Sequence, residues 1–96
     1  MLTILDRLEQ IRKNIDGRVR IVLHGTNGFE PKLMKECIAA GCSKLNVNRV
    51  VLDDYYEHFR KHASTMSHTK LIEETTEKVI SQTIEWMEIC GSAGKA

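Results

Sequence analysis

A short apolar run, Ile21-Val22-Leu23, ends in His24 and a glycine-flanked turn, Gly25-Thr26-Asn27-Gly28, and a second run, Lys44-Leu45-Asn46-Val47-Asn48, follows about twenty residues later. Residues 19–23 are apolar apart from Arg20 and do not alternate with polar positions, the pattern of a strand covered on both faces of a parallel sheet. Between the runs, Pro31 offers a preset first helical residue, Leu33, Met34, Cys37 and Ile38 make one apolar stripe, and Gly41 stops the helix. With a second strand at residues 43–47, strand, helix and strand fall within about thirty residues and form a βαβ unit, whose crossover is right-handed in nearly all known folds. The expected class is therefore α/β with two neighbouring parallel strands.

The flanks supply helices. Leu2, Leu5, Leu8, Ile11 and Ile15 recur at three- and four-residue steps, marking an amphipathic helix that Gly17 can close from a left-handed conformation. Over residues 50–63, Val51, Leu52, Tyr55, Tyr56 and Phe59 describe another, expected to return across the outside of the sheet. A polar break at residues 64–68 precedes a long helix over residues 69–89, with Ile72, Thr76, Val79, Ile80, Thr83, Met87 and Cys90 on the stripe expected to be buried. No repeat or Pro- or Ser-rich linker divides the chain, so residues 1–96 read as one segment. A two-stranded parallel sheet leaves both edges unpaired, which free-standing domains rarely accept, and the segment reads as a piece of a larger sheet.

Fourteen Lys and Arg against thirteen Asp and Glu leave a net charge of +1, which provides no basic footprint for nucleic acid. Cys37, Cys42 and Cys90 are odd in number and lack metal-type spacing, which suits a reducing, cytoplasmic setting. Charges at Asp6, Arg7, Glu9, Arg12 and Lys13 break any signal-peptide core, and no apolar run is long enough to span a bilayer.

The two loops carry the chemistry. An imidazole at a strand tip can serve as a rigid zinc ligand, and a catalytic zinc takes three protein ligands with a fourth position open. An isolated His beside a Gly reads more simply as a hydrogen-bonded structural imidazole, and the turn that follows favours ligation. Gly25 and Gly28 let backbone N–H groups approach a ligand closely, and the helix opening at Pro31 adds its positive end, so phosphate is the natural guest, whereas Gly-Thr-Asn-Gly taken alone reads more simply as a tight turn. Asn46 and Asn48, two apart on an extended segment, are expected to point the same way, with Arg49 adding a cation. His58 and His62 stand i and i+4 on a helix, a spacing that also occurs in paired zinc ligands. With Arg60 and Lys61 between them and no helical Glu base, they read as a solvated face, as do Asp53-Asp54 and Glu73-Glu74. Trp86 and the stripe of the last helix read as a docking face.

Leu23-His24-Gly25-Thr26-Asn27-Gly28 and Lys44-Leu45-Asn46-Val47-Asn48 resemble the paired C-terminal motifs of the class II, zinc-dependent ketose-bisphosphate aldolases, and Leu5-Asp6-Arg7-Leu8-Glu9-Gln10-Ile11 resembles the family's helix before the seventh strand. The resemblance covers essentially the whole chain. It implies the C-terminal portion of a (β/α)8 TIM barrel: the sixth helix, the seventh and eighth strand-helix units, and a long C-terminal helix. His24 would be one of three His ligands of Zn2+, Gly25 would give backbone contacts near the substrate phosphate, and Asn46 would meet the dihydroxyacetone portion. Asn27 stands where the family has a phosphate-binding hydroxyl, and Thr26 replaces a glycine. Asn48 and Arg49 replace a carboxylate and a hydroxyl, which points to a divergent preference among phosphorylated sugars or sugar acids.

The resemblance assigns no catalytic acid or base to this chain. The family's proton-transferring aspartate, its neighbouring His ligand and the third His belong to earlier strands, so a chain with one ligand is expected to be inert alone. It would depend on the remainder of the barrel. The alternative is a non-catalytic half-barrel that self-associates through its sheet edges and holds a phosphorylated ligand at the turn from Gly25 to Gly28 and at Arg49.

Overall fold

The computed structural model describes residues 2–95 of the 96. Its elements run α1 (Ile4–Ile15), β1 (Ile21–Leu23), α2 (Pro31–Ala39), β2 (Cys42–Leu45), α3 (Arg49–His62) and α4 (His68–Ile89). They fall into two compact units, Met1–Val47 and Asn48–Ala96.

In the first unit, α1 starts from a full capping box. The Thr3 hydroxyl accepts from the Asp6 backbone N–H at 3.1 Å, and the Asp6 carboxylate accepts from the Thr3 N–H at 2.9 Å. The latter bond, followed by the Thr3 hydroxyl, holds the Asp6 carboxyl below its ordinary pKa. The helix ends in two left-handed residues, Asp16 and then the expected Gly17.

β1 and β2 pair in parallel, with Ile21 opposite Cys42, Val22 opposite Lys44 and Leu23 opposite Leu45, and one irregularity between Ile21 and Val22. Both strands are shorter than expected: Val19 and Arg20 lie before β1, and Asn46 and Val47 lie after β2. Leu8, Cys37 and Cys42 form a buried cluster, with Leu5, Ile21, Leu23, Phe29, Leu33 and Ala40 packed around it. The cluster joins α1, α2 and both strands by burying apolar area, and α2 crosses between the two strands. Burial pushes the Cys37 and Cys42 thiols up from their ordinary pKa, as expected of small apolar fillers.

The second unit is a helical hairpin in which α3 packs along α4. Its buried side chains are Val50, Leu71 and Thr75. The Thr75 hydroxyl is satisfied within its own helix, donating to the Leu71 carbonyl at 2.7 Å.

The packed face of α4 overlaps the expected stripe only in part: Val79, Thr83 and Cys90 are half-buried as expected, but elsewhere the face is turned. Leu71 and Thr75 are buried, whereas Ile72, Thr76, Ile80 and Met87 are exposed. The helix is apolar over a broad arc that includes both sets, so the helical period marks the arc without choosing which part of it α3 covers. On α3, Val50 is buried and Val51, Leu52 and Tyr55 are half-buried, while Tyr56 and Phe59 face solvent. No helix among the described residues is long and apolar enough to cross a membrane.

Candidate functional site

The pairing of Leu23 with Leu45 determines the site. In a parallel pair, the residues that follow the last partners emerge at the same end of the sheet. His24 and Asn46 are those residues, so the register brings together two side chains that the sequence separates by 22 positions. Asn46 Nδ2 lies 3.1 Å from His24 Nδ1. The Asn46 backbone N–H extends the ladder by donating to the Leu23 carbonyl at 3.0 Å.

The turn after β1 is shaped by its glycines. Gly25 and Gly28 have φ of 67° and 77°, and an added Cβ would meet nothing within 4 Å at either position. Backbone conformation alone therefore selects glycine there. The Phe29 N–H donates to the Thr26 carbonyl at 3.1 Å, closing a turn with Asn27 and Gly28 at its centre. Phe29 then packs on the core cluster. Asn27 is exposed at the tip.

Thr26 is the residue that sequence reasoning overlooked. The family resemblance makes it a substituted glycine, yet it is only 2% exposed, and its hydroxyl donates to the Asn46 carbonyl at 3.0 Å. The available signal was chemical: a β-branched hydroxyl residue in a glycine turn needs a reason to be buried, and hydrogen bonding to a neighbouring strand end supplies one.

The positive end of α2 begins at Pro31, the first helical residue, as expected. The residue before it, Glu30, makes no side-chain cap bond. A carboxylate at this position competes electrostatically with an anionic ligand.

Asn48 and Arg49 lie in the second compact unit. The expected extended run through Asn48 is not present, because β2 stops at Leu45 and Asn48 takes φ −141° and ψ −83° at the start of α3. Arg49 Nε lies 3.6 Å from Asp53 Oδ1 one turn along, and both side chains are largely exposed. A solvated pair of that kind contributes little to stability.

His58 departs from the expected solvated face. Its side chain is 18% exposed, and Nε2 lies 2.8 Å from Glu74 Oε2 on α4. This hydrogen bond is the main cause that lowers the Glu74 pKa; desolvation opposes it, and the charges of Lys70, His58 and His62 add to it. The His58 and His62 rings stand 4.5 Å apart between centroids. No group of three His, Cys, Asp or Glu side chains suited to a metal ion occurs among the described residues.

Comparison with known proteins places this chain in a family. The family profile of class II fructose-bisphosphate aldolase matches residues 3–95. A Coccidioides immitis protein named "Putative fructose-bisphosphate aldolase" is 35% identical over 91 residues, 95% of this chain and 30% of that protein. The fructose-bisphosphate aldolase of Mycoplasma pneumoniae is 30% identical over 86 residues, 79% of this chain and 30% of its own length. A crystal structure carrying the corresponding Coccidioides immitis name superposes with a TM-score of 0.87 at 35% identity, covering 96% of this chain and 35% of that one. The YdjI aldolase from Escherichia coli K12 superposes with a TM-score of 0.84 at 23% identity, covering 100% of this chain and 36% of its own, and so supports the fold alone.

The chain thus spans about 30% of the length of the curated relatives it matches. Two parallel strands with flanking helices are a portion of the (β/α)8 barrel, consistent with the α/β class read from the sequence. The chain belongs to the class II fructose-bisphosphate aldolase family.

Proposed function

We propose that this chain supplies the closing strand-helix units of a class II aldolase barrel, with both compact units serving as parts of one barrel segment. The reaction would be reversible aldol cleavage of a phosphorylated ketose or sugar acid. The single observation carrying this reading is the 3.1 Å approach of His24 and Asn46 at the C-terminal tips of paired parallel strands. Barrel enzymes build their active sites at that end.

The donor set suits zinc in kind and falls short in number. His24 would hold the ion as one ligand, a neutral imidazole at a fixed strand tip. Its Nδ1 is turned to Asn46, so Nε2 is the nitrogen for ligation once the Asn46 carboxamide presents its oxygen to an Nδ1–H. The other ligands and the proton-transferring carboxylate would come from the remainder of the barrel. When bound, zinc polarises a substrate ketone as a Lewis acid.

Each loop residue then has a defined task. Gly25 would present backbone N–H to the substrate phosphate and Asn27 an amide, and Arg49, which follows the second motif, would add a cation. Asn46 and Asn48 would orient the hydroxyls of the ketone-bearing half. Polar groups held before the substrate arrives lower the cost of orientation.

Two measurements test the proposal. The purified chain, checked for fold by circular dichroism and for size, should show no aldol cleavage with added zinc; activity from a folded monomer would overturn it. Joined to the remaining portion of the Coccidioides immitis relative, the chain should restore zinc-dependent cleavage. His24→Ala in that chimera should lower the rate on the order of a thousandfold, the scale of losing metal polarisation.

A further inference from the structure

Asn46 is fixed at three points. Its N–H donates to the Leu23 carbonyl at 3.0 Å, its carbonyl accepts from the Thr26 hydroxyl at 3.0 Å, and its carboxamide reaches His24 Nδ1 at 3.1 Å. The first bond extends the strand ladder and would form with any residue at position 46. The second depends on one particular side chain, Thr26, which is almost fully buried although it sits in a turn between exposed neighbours Gly25 and Asn27. Asn46 lies beyond the end of β2, where the peptide before it is still held by the ladder bond to Leu23 and the peptide after it is held by the Thr26 hydroxyl.

We propose that Thr26 is a positioning residue: its buried hydroxyl holds the peptide following Asn46, sets the Asn46 carboxamide against the His24 imidazole, and so fixes which ring nitrogen faces away from the strand tips. The bond from Thr26 removes rotation about the Asn46 Cα–C bond, the freedom that would otherwise let the segment after β2 lift from the first loop. With its Nδ2 amide N–H presented to Nδ1, as here, the carboxamide donates to a bare Nδ1 and favours the tautomer that carries its proton on Nε2; turned over, it would accept from an Nδ1–H and favour the other. The catalytic consequence rests on the aldolase reading, whereas the tautomer selection does not.

The test is nitrogen NMR of the His24 ring at one fixed alkaline pH, on the whole 96-residue chain and without metal. The wild type should show one His24 tautomer favoured by roughly tenfold, the scale of one hydrogen bond. Thr26→Val should reduce that preference to about threefold or less while the Asn46 backbone N–H stays protected from exchange, and Thr26→Ser should restore it. An even tautomer mixture in the wild type would overturn the proposal without any variant. So would an unchanged preference in a folded Thr26→Val chain. If Thr26→Val does not fold, Thr26→Ser decides: retention of the wild-type ring signals supports the latch, and their loss with the Asn46 N–H still protected rejects it. Neither zinc nor turnover enters the readout, so its failure leaves the aldolase reading intact, and an inactive chimera leaves the latch intact.

Discussion

The two compact units use similar amounts of sequence in different ways. The first unit spends its residues on positions that only a particular chemistry can fill: glycines at positive φ, a proline at the first helical position, a buried hydroxyl between two loops. The second is two amphipathic helices, in which many side chains satisfy the same pattern. The contrast shows what each kind of information specifies. Backbone-restricting residues determine where two loops meet, whereas a broad apolar arc indicates that a helix packs without choosing the line of contact.

The largest effect expected is in the first unit. Leu8 is 6% exposed and belongs to the cluster that joins α1 to α2 and the strands. Leu8→Ala should cost about 2–5 kcal/mol, the range for a buried leucine whose surroundings collapse only in part. Urea denaturation followed by the β1–β2 amide signals would measure it. A loss below about 1 kcal/mol would show that the first unit does not depend on this cluster and would remove the basis of the contrast.

The legibility of the sequence follows the same division. His24 and Asn46 could be paired in advance because each follows an apolar run in a βαβ unit, and parallel register brings such residues to one end. The two helices that flank β1, with their stop near Gly17 and their start at Pro31, were equally readable from periodicity and caps. Thr26 was not, because its role depends on a carbonyl twenty positions away that no local rule reports. Asn48 reads as part of an extended run because β-type alternation continues past Leu45, while the helix start at Arg49 ends that run early. His58 and Glu74 both read as solvated charge in the sequence, since each lies among charged neighbours on its own helix and their contact exists only across the hairpin.

That contact gives the second prediction. Glu74 has a lowered pKa in the folded chain, first through the His58 hydrogen bond. A carboxylate of this kind favours the folded state above its unfolded pKa of about 4.3, and the contribution disappears as pH falls through the lower folded value. The hairpin should therefore lose stability progressively below about pH 4.3, and Glu74→Gln should flatten that acid limb while changing little near neutrality relative to Leu8→Ala. Thermal unfolding of α4 helicity between pH 6 and pH 2 would follow it. An identical acid limb in the variant would mean that the His58–Glu74 pair contributes no pH dependence.

The smallest effect concerns the face of α4 that α3 leaves open. Ile80 and Ile84 are 47% and 52% exposed, one turn apart, and Ile72 and Met87 share the same side of the helix. An exposed isoleucine contributes little to the folded state beyond helix propensity, and glutamine forms helices slightly better than isoleucine. Ile80→Gln should thus change the stability of the chain by no more than about 0.5 kcal/mol, in contrast to the buried Leu71, where truncation to alanine should cost several times that. Chemical denaturation of the two variants side by side reads the difference directly. A loss above about 1 kcal/mol for Ile80→Gln would place this face in contact with something in solution, and the arc would then be broad because two surfaces use it. A neutral result would mean that α3 alone selects its line of contact, through Leu71 and Thr75, from an apolar surface wide enough to have offered others.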